Sequence, residues 1–235
     1  MTYSKPFTAS YDVFKKQTTY DQIVKQLHKV FQEHNIKTVL DVGCGTGAIT
    51  NKLHKQGYEI LGVDTSKEMI AHAKNKYPQT PFQEANITTL HLNKKFDAII
   101  AIDSVLTFIQ TTNELNQALS NLTKHLSSKG ILYLEIAFTK KTIPPGYTDK
   151  QTQKVTVNKQ TYKKISKQKQ EQEHLTTHIT IYKDDEIITQ EEHKHQILDE
   201  QEIRRELIKQ GLQVTTTGNT PSPNYQPLTI VATKT

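Results

Sequence analysis

The stretch VLDVGCGTGAIT, Val39 to Thr50, decides how the rest of the chain is read. Apolar residues and one aspartate, Asp41, run straight into Gly43, Gly45 and Gly47, and helical spacing follows from Ala48 to Gln56. A buried strand that ends on glycines and turns into a helix brings bare main-chain N–H groups and a helix N-terminus to the carboxyl edge of a sheet. A nucleoside-bearing ligand binds at such an edge. Glycine permits positive φ there and removes the Cβ atoms that would hold a ligand off the chain. The next strand, Glu59 to Val63, is followed by Asp64, at the spacing one strand–helix–strand unit requires, where a carboxylate accepts hydrogen bonds from both hydroxyls of a ribose.

Working outward, Ile23, Val24, Leu27, Val30 and Phe31 predict an amphipathic helix over Tyr20 to His34, ahead of a strand from Thr38 to Val42. Ser66 is placed as the N-cap of a further helix, with Glu68 in its first turn. The alternation continues through Phe82 to Ala85, Phe96 to Ile102, a helix from Asn113 to Leu126, and the apolar run Gly130 to Phe138. Continuous apolar strands separated by helices predict an α/β fold: a doubly wound, mostly parallel sheet, seven-stranded once the last two strands below are counted. The pattern stops at Pro144-Pro145-Gly146. Beyond it Val155 and Val157, Leu175 to Ile181, and Ile187 to Ile197 alternate with period two, with a hairpin turn at Lys183 to Glu186. The tract Lys163 to Glu173 fits a mobile hairpin as well as a strand. Parallel-sheet logic resumes at Asp199, a helix cap with Glu202 completing a capping box. Gly211 then stops that helix, and the last strands are Leu212 to Thr217 and Leu228 to Ala232. The expected organisation is one domain, 1–140 with 198–235, carrying an antiparallel insert, 141–197, that lies over the site as a substrate lid.

Composition narrows the setting. A chain of 235 residues can bury a sizeable core, and although only 34% of it is hydrophobic, apolar clusters recur throughout, which argues against wholesale disorder. The first ten residues hold no apolar signal core, and the longest apolar run, Asp97 to Ile109, is interrupted by Asp103 and too short to span a bilayer; a cytoplasmic protein is expected. Cys44 is the one cysteine, so no internal disulfide and no multi-cysteine zinc site can form; inside the glycine stretch it reads as a small residue contributing backbone. Much of the +6 charge comes from lysines between Lys140 and Lys169 that face only Asp149. Sparse aromatic interleaving there favours a solvated surface over nucleic-acid binding.

Dinucleotide sites carry Gly-x-Gly-x-x-Gly, whereas this chain has Gly43-x-Gly45-x-Gly47 preceded by Asp41. That form resembles motif I of the class I methyltransferases, and the resemblance implies S-adenosylmethionine as cofactor. It spans roughly Thr8 to Val214 and is most specific over Thr38 to Ser66. It implies cofactor contacts from Asp41, Gly43, Cys44, Gly45 and Gly47, then from Asp64, Thr65 and Met69. In FQEANITTL, Asn86 stands where the family has an acid against the adenine amino group, beside Ile87; its carbonyl oxygen can still accept. FDAIIAIDSVLTFI resembles the family's fourth strand, with Ala101 and Ile102 near the methionine moiety. ASYDVFKK and Tyr20 resemble an N-terminal lid; Tyr11 and Tyr20 read either as cofactor covers or as rim-packing aromatics. The insert segments PPGYTDKQ and EEHKHQIL resemble those of the small amino-sugar N-methyltransferases and their uncharacterised relatives, with Tyr147 and His193 at positions that group keeps near its substrate. Two departures stand against carrying the sugar over: GNTPSPNYQPLTIV replaces a glycine-rich, arginine-containing stretch, and Phe108 sits where Tyr or His is usual.

Methyl transfer asks for alignment and desolvation more than for catalytic side chains. Asp103 either opens onto the acceptor or caps the next turn, while Glu135, inside an apolar strand, must be paired or at the strand end. His193 is the preferred base among the histidines, ahead of His174, His178 and His195, though a polar histidine on a partly solvated sheet is the reading its strand pattern favours. His193, His195 and Glu191 have a spacing that could hold a metal, but strand alternation explains it and no metal is expected. The leading expectation is methyl transfer to an amine or hydroxyl of a small-molecule acceptor by a monomer or homodimer. A methyltransferase using the basic insert on RNA or protein, and a dinucleotide-dependent oxidoreductase or non-catalytic nucleotide binder, are the alternatives.

Overall fold

The computed structural model describes residues 3–15, 17–217 and 227–234. The first helix, α1 (Lys5–Phe14), starts where the Ser4 hydroxyl accepts from the Phe7 amide at 3.3 Å and Pro6 occupies the first turn. After α2 (Gln17–Glu33) the chain alternates: β1 (Thr38–Val42), α3 (Ala48–Lys55), β2 (Glu59–Asp64), α4 (Lys67–Lys76), β3 (Phe82–Glu84), β4 (Phe96–Ala101), α5 (Thr112–His125) and β5 (Leu126–Ile136). Ser66 caps α4 by accepting from the Met69 amide, as its sequence position predicts. After the insert come α6 (Glu200–Lys209) and two strands, β10 (Leu212–Thr217) and β11 (Leu228–Lys234). Asp199 caps α6 by accepting from the Gln201 amide at 2.8 Å. Of the departing segment GNTPSPNYQPLTIV, residues 218–226 lie outside the described residues.

The seven strands of the main sheet lie in the order β10-β11-β5-β4-β1-β2-β3, and β11 alone runs against its neighbours. Chain order reverses between β4 and β1, which opens a crevice at their carboxyl ends. Helices bury apolar faces on both sides. Leu27 and Phe31 of α2 pack with Val39, Ile60 and Ile100, and Leu119 and Leu122 of α5 pack with Leu40, Ile99 and Leu132.

The insert is a four-stranded antiparallel sheet, β6 (Thr148–Val157), β7 (Gln160–Glu171), β8 (His174–Lys183) and β9 (Glu186–Gln196). The tract Lys163 to Glu173 is therefore mostly ordered strand. Two hairpins turn on pairs of residues with positive φ, Asn158-Lys159 and Asp184-Asp185, the backbone that two-residue loops between twisted strands require. Entry and exit are stitched together: the Leu198 amide donates to Phe138 O at 2.9 Å and the Lys140 amide to Leu198 O at 3.1 Å. The insert also meets the main layer through α1, where Phe7, Met69 of α4 and Ile181 of β8 form one buried cluster.

Candidate functional site

Past Val42 the chain turns beneath the end of β2, with the Gly43 and Cys44 amides donating to Val63 O at 2.7 and 3.0 Å. The three glycines all have positive φ, for different reasons. A Cβ on Gly43 would lie 2.2 Å from Val105 Cγ2, and one on Gly47 2.4 Å from Phe82 Cζ, so the protein's own packing demands glycine at both. A Cβ on Gly45 would meet nothing within 4 Å, and Gly45 lines the adjoining cavity. Asp64, at the end of β2, is bound into this loop: Oδ2 accepts from the Gly45 amide at 3.0 Å and Oδ1 from the Ser66 amide at 2.8 Å. Burial raises its carboxyl above the ordinary range, against the pull of those amides.

The cavity has a volume of about 270 Å³ and sits at the crevice between β4 and β1. Gly43, Gly45, Asp64, Thr65 and Met69 line it from the β1 and β2 side, and Asn86 and Ile87 from the end of β3. Ile102 and Asp103 line it from the end of β4, and Tyr11 from α1. Open main chain at Gly45 and a carboxylate after β2, both on this cavity, are consistent with the cofactor that the sequence resemblance implies. The Asn86 carbonyl oxygen turns back to its own chain, accepting from the Thr88 amide at 3.0 Å and hydroxyl at 2.9 Å.

Other residues singled out by sequence support this site without lining it. Asp41 is buried and accepts from the Thr50 hydroxyl at 2.6 Å, tying β1 to α3; burial pushes its carboxyl up to about 7. Cys44 packs beside Ile70, Ala73 and Phe82, and burial pushes its thiol up. Ala101 is buried in the core below, and Gly47 is closed off by Phe82. Tyr20 donates to Asp12 Oδ1 at 3.2 Å.

Among the residues named for catalysis, only Asp103 faces the cavity. It and Ser104 are both left-handed, φ +62° and +65°, a backbone conformation that costs about 1–2 kcal/mol per non-glycine residue. Asp103 is not a turn cap: its Oδ2 accepts from Tyr11 Oη at 3.0 Å and from Lys15 Nζ at 2.5 Å. Burial alone would raise this carboxyl, but the Lys15 ammonium and the two hydrogen bonds outweigh it and hold the group below the usual range. Glu135 is buried beneath, and burial together with Asp103 pushes it up to about 7.

His193 lies inside an aromatic cage, 5.4, 5.2 and 6.1 Å from the ring centres of Tyr3, Phe7 and Phe108. Its Nε2 is buried without a hydrogen-bond partner among the described residues, and burial pushes its pKa down to about 4. His195 shares a 2.9 Å hydrogen bond with Thr107 Oγ1. The Thr107 hydroxyl already donates to Ser104 O at 2.7 Å, so His195 Nδ1–H is the donor, and burial pushes this histidine to about 3. Tyr147 packs with Ile143, Leu175 and Ile197 at the base of the insert, away from the cavity. Glu191 accepts from the Ser4 hydroxyl at 2.5 Å, and among the described residues no group of three His, Cys, Asp or Glu side chains could hold a metal ion.

Sequence reasoning missed Asp12. Its carboxylate accepts from Thr46 Oγ1 at 2.7 Å, Tyr20 Oη and Lys76 Nζ, pinning α1 to the glycine loop, α2 and α4. Tyr3 and Lys15 were missed with it. The signal for this segment was Ser4 followed by Pro6, a helix start that apolar periodicity alone does not reveal. Among the described residues no helix is long and apolar enough to cross a membrane.

Residues 39–130 match a family model described as a methyltransferase domain. The chain is 27% identical over 110 residues to the dTDP-3-amino-3,4,6-trideoxy-alpha-D-glucopyranose N,N-dimethyltransferase of Streptomyces venezuelae, a match covering 47% of this chain and 46% of that enzyme. It thus spans about half the length of the first curated relatives it matches. The fold superposes on Streptomyces venezuelae DesVI with a TM-score of 0.86 at 20% identity, covering 99% of this chain and 100% of the other. It also superposes on S-adenosylmethionine-bound CalS10, an amino pentose methyltransferase from Micromonospora echinaspora, with a TM-score of 0.81 at 19% identity over 99% and 98% of the two chains. Residues 39–130 thus match a methyltransferase domain, and in fold the whole chain resembles S-adenosylmethionine-dependent methyltransferases, the amino-sugar N-methyltransferases among them.

Proposed function

We propose that this protein transfers the methyl group of S-adenosylmethionine to the amine of a small-molecule acceptor. The observation that carries this reading is the ionised Asp103 carboxylate on the same cavity as Gly45 and Asp64. When bound, the cofactor supplies a methyl carbon activated by a sulfonium, open to in-line attack. Asp64 and the Gly45 main chain hold the ribose in this reading, and Met69 and Ile87 flank the base. Asp103 accepts an N–H of the acceptor and orients its lone pair.

An amine suits these groups better than a hydroxyl. A hydroxyl acceptor asks for a base poised near neutrality. Asp103 is held below the usual carboxylate range and His193 near 4, so both are weak bases. A neutral amine needs only orientation and removal of water. The insert acts as the lid that excludes water, supported by the shared cluster of Phe7, Met69 and Ile181 and by the Thr107–His195 hydrogen bond between the layers.

The test is calorimetry followed by turnover. S-adenosylmethionine and S-adenosylhomocysteine are expected to bind with similar affinity and NAD not at all, and small primary amines, with amino sugars first, are expected to gain a methyl group detectable by mass spectrometry. Binding of NAD in place of the sulfonium cofactor, or methylation of hydroxyls but not amines, would overturn the reading.

A further inference from the structure

Lys164 is a cation that nothing in the reading above uses. It sits on β7 opposite Ile181 of β8, and Ile181 packs against Phe7 and Met69, so this face of the insert looks onto α1 and the main layer. Its ammonium makes no ion pair or hydrogen bond among the described residues; its one close partner is the Phe14 ring, 5.3 Å away. Lys15 and Asp103 both act on it, the first repelling and the second attracting, and burial with Lys15 pushes it down to about 8. Through Phe14, the chain neighbour of Lys15, Lys164 thus lies beside the end of α1 and within electrostatic reach of the Lys15–Asp103 pair. Asp103 already holds Lys15 at 2.5 Å, which leaves Lys164 as half-buried, uncompensated positive charge.

Strand order says which part of a ligand arrives there. Reading across the sheet, the cavity passes from Asn86 after β3 to Asp64 after β2, then Gly43 after β1 and Asp103 after β4. A cofactor whose ribose is held by Asp64 and whose base lies toward Asn86 directs its other, amino-acid end toward β4. That end carries an α-ammonium, which Asp103 attracts, and an α-carboxylate, which Asp103 alone would repel.

We propose that Lys164 on the insert and Lys15 on α1 together receive the α-carboxylate of the cofactor. The charges then alternate, Asp103 with Lys15, and the ligand carboxylate between Lys15 and Lys164, so each ammonium has an anionic partner. The proposal rests on the S-adenosylmethionine reading and extends it: the insert grips the methyl donor as well as covering the acceptor.

The test compares S-adenosylhomocysteine with 5′-methylthioadenosine, which keeps the nucleoside and thioether but lacks the amino-acid end. Calorimetry is run on the wild-type chain, Lys164→Met and Lys164→Arg, each checked by thermal unfolding. Lys164→Met is expected to weaken S-adenosylhomocysteine by about tenfold or more, the loss of one charge-assisted contact, and to leave 5′-methylthioadenosine unchanged; Lys164→Arg should recover most of the loss. Equal weakening of both ligands would mean that Lys164 only packs, and undiminished preference for S-adenosylhomocysteine in Lys164→Met would mean that the carboxylate lies elsewhere; either result overturns the proposal. A wild-type chain that binds neither ligand would instead overturn the cofactor reading beneath it.

Discussion

The Gly45 amide donates to Asp64 Oδ2 at 3.0 Å, joining residues nineteen apart in sequence. Glycine loop and acid are one hydrogen-bonded unit, held in shape by the chain before any ligand arrives. Asp64→Ala is expected to lower S-adenosylhomocysteine affinity by about 100-fold or more, since it removes a charged acceptor and releases the loop, while the chain still unfolds cooperatively. Calorimetry beside thermal unfolding measures both; unchanged affinity would refute the ribose role.

Gly45 and Gly47 should part company when substituted. Gly45→Val puts its side chain into open space at the cavity, so binding is lost with a stability cost of about 1–2 kcal/mol from the left-handed φ. Gly47→Ala drives a methyl into the Phe82 ring and should destabilise the fold by roughly 2–4 kcal/mol, strain and overpacking together. Denaturant midpoints for the two variants give the comparison, and equal destabilisation would show that Gly45 too is a packing residue.

Lys15 controls Asp103 more than any other neighbour does. Lys15→Met removes the cation that holds the carboxyl below its usual range, so the Asp103 pKa must rise. An NMR titration of that carboxyl should move toward higher pH, and the acid limb of any Asp103-dependent turnover should follow it. An unmoved titration would show that Tyr11 and Lys164 suffice.

His193 and His195 are folded as neutral rings with pKa values pushed down to about 4 and about 3 from an ordinary 6.5. Their contribution to stability is therefore present above pH 6.5 and is lost as pH falls toward those lower values. His193→Phe keeps a ring of similar shape in the aromatic cage and has no Nε2 to leave unpaired. Near neutrality it should cost little, and at pH 5 it should be more stable than wild type by about 2 kcal/mol, the share His193 has lost by then. Glu135, raised to about 7, acts in the opposite direction, so the difference between the variant and wild type is the quantity to measure across pH 4 to 7.

Much of the parallel layer was legible in the sequence because burial on both faces writes continuous apolar runs. Val39 to Val42 and Ile99 to Ile102 can be little else, and the Ser66 and Asp199 caps mark helix starts by their own hydrogen bonds. The insert was legible from period two. What stayed hidden was whatever depends on two distant segments meeting. Helix α1 carries Phe7, Tyr11 and Phe14 at helical spacing, but where it docks is set by contacts with distant segments, such as Ser4 with Glu191 and Asp12 with Thr46. His193 carried an inward-facing pattern, yet Tyr3 and Phe7, far away in sequence, enclose it. Three glycines in one motif look equivalent until Val105 and Phe82 are seen to fill the space beside two of them.

Cys44 is the only thiol in the chain, and it lies within the glycine loop with its pKa pushed up by burial. In the closed loop it should therefore react slowly with an alkylating reagent. Its modification rate, read by mass spectrometry at a single site, becomes an internal clock for how often the loop breathes and how far a bound nucleoside stills it.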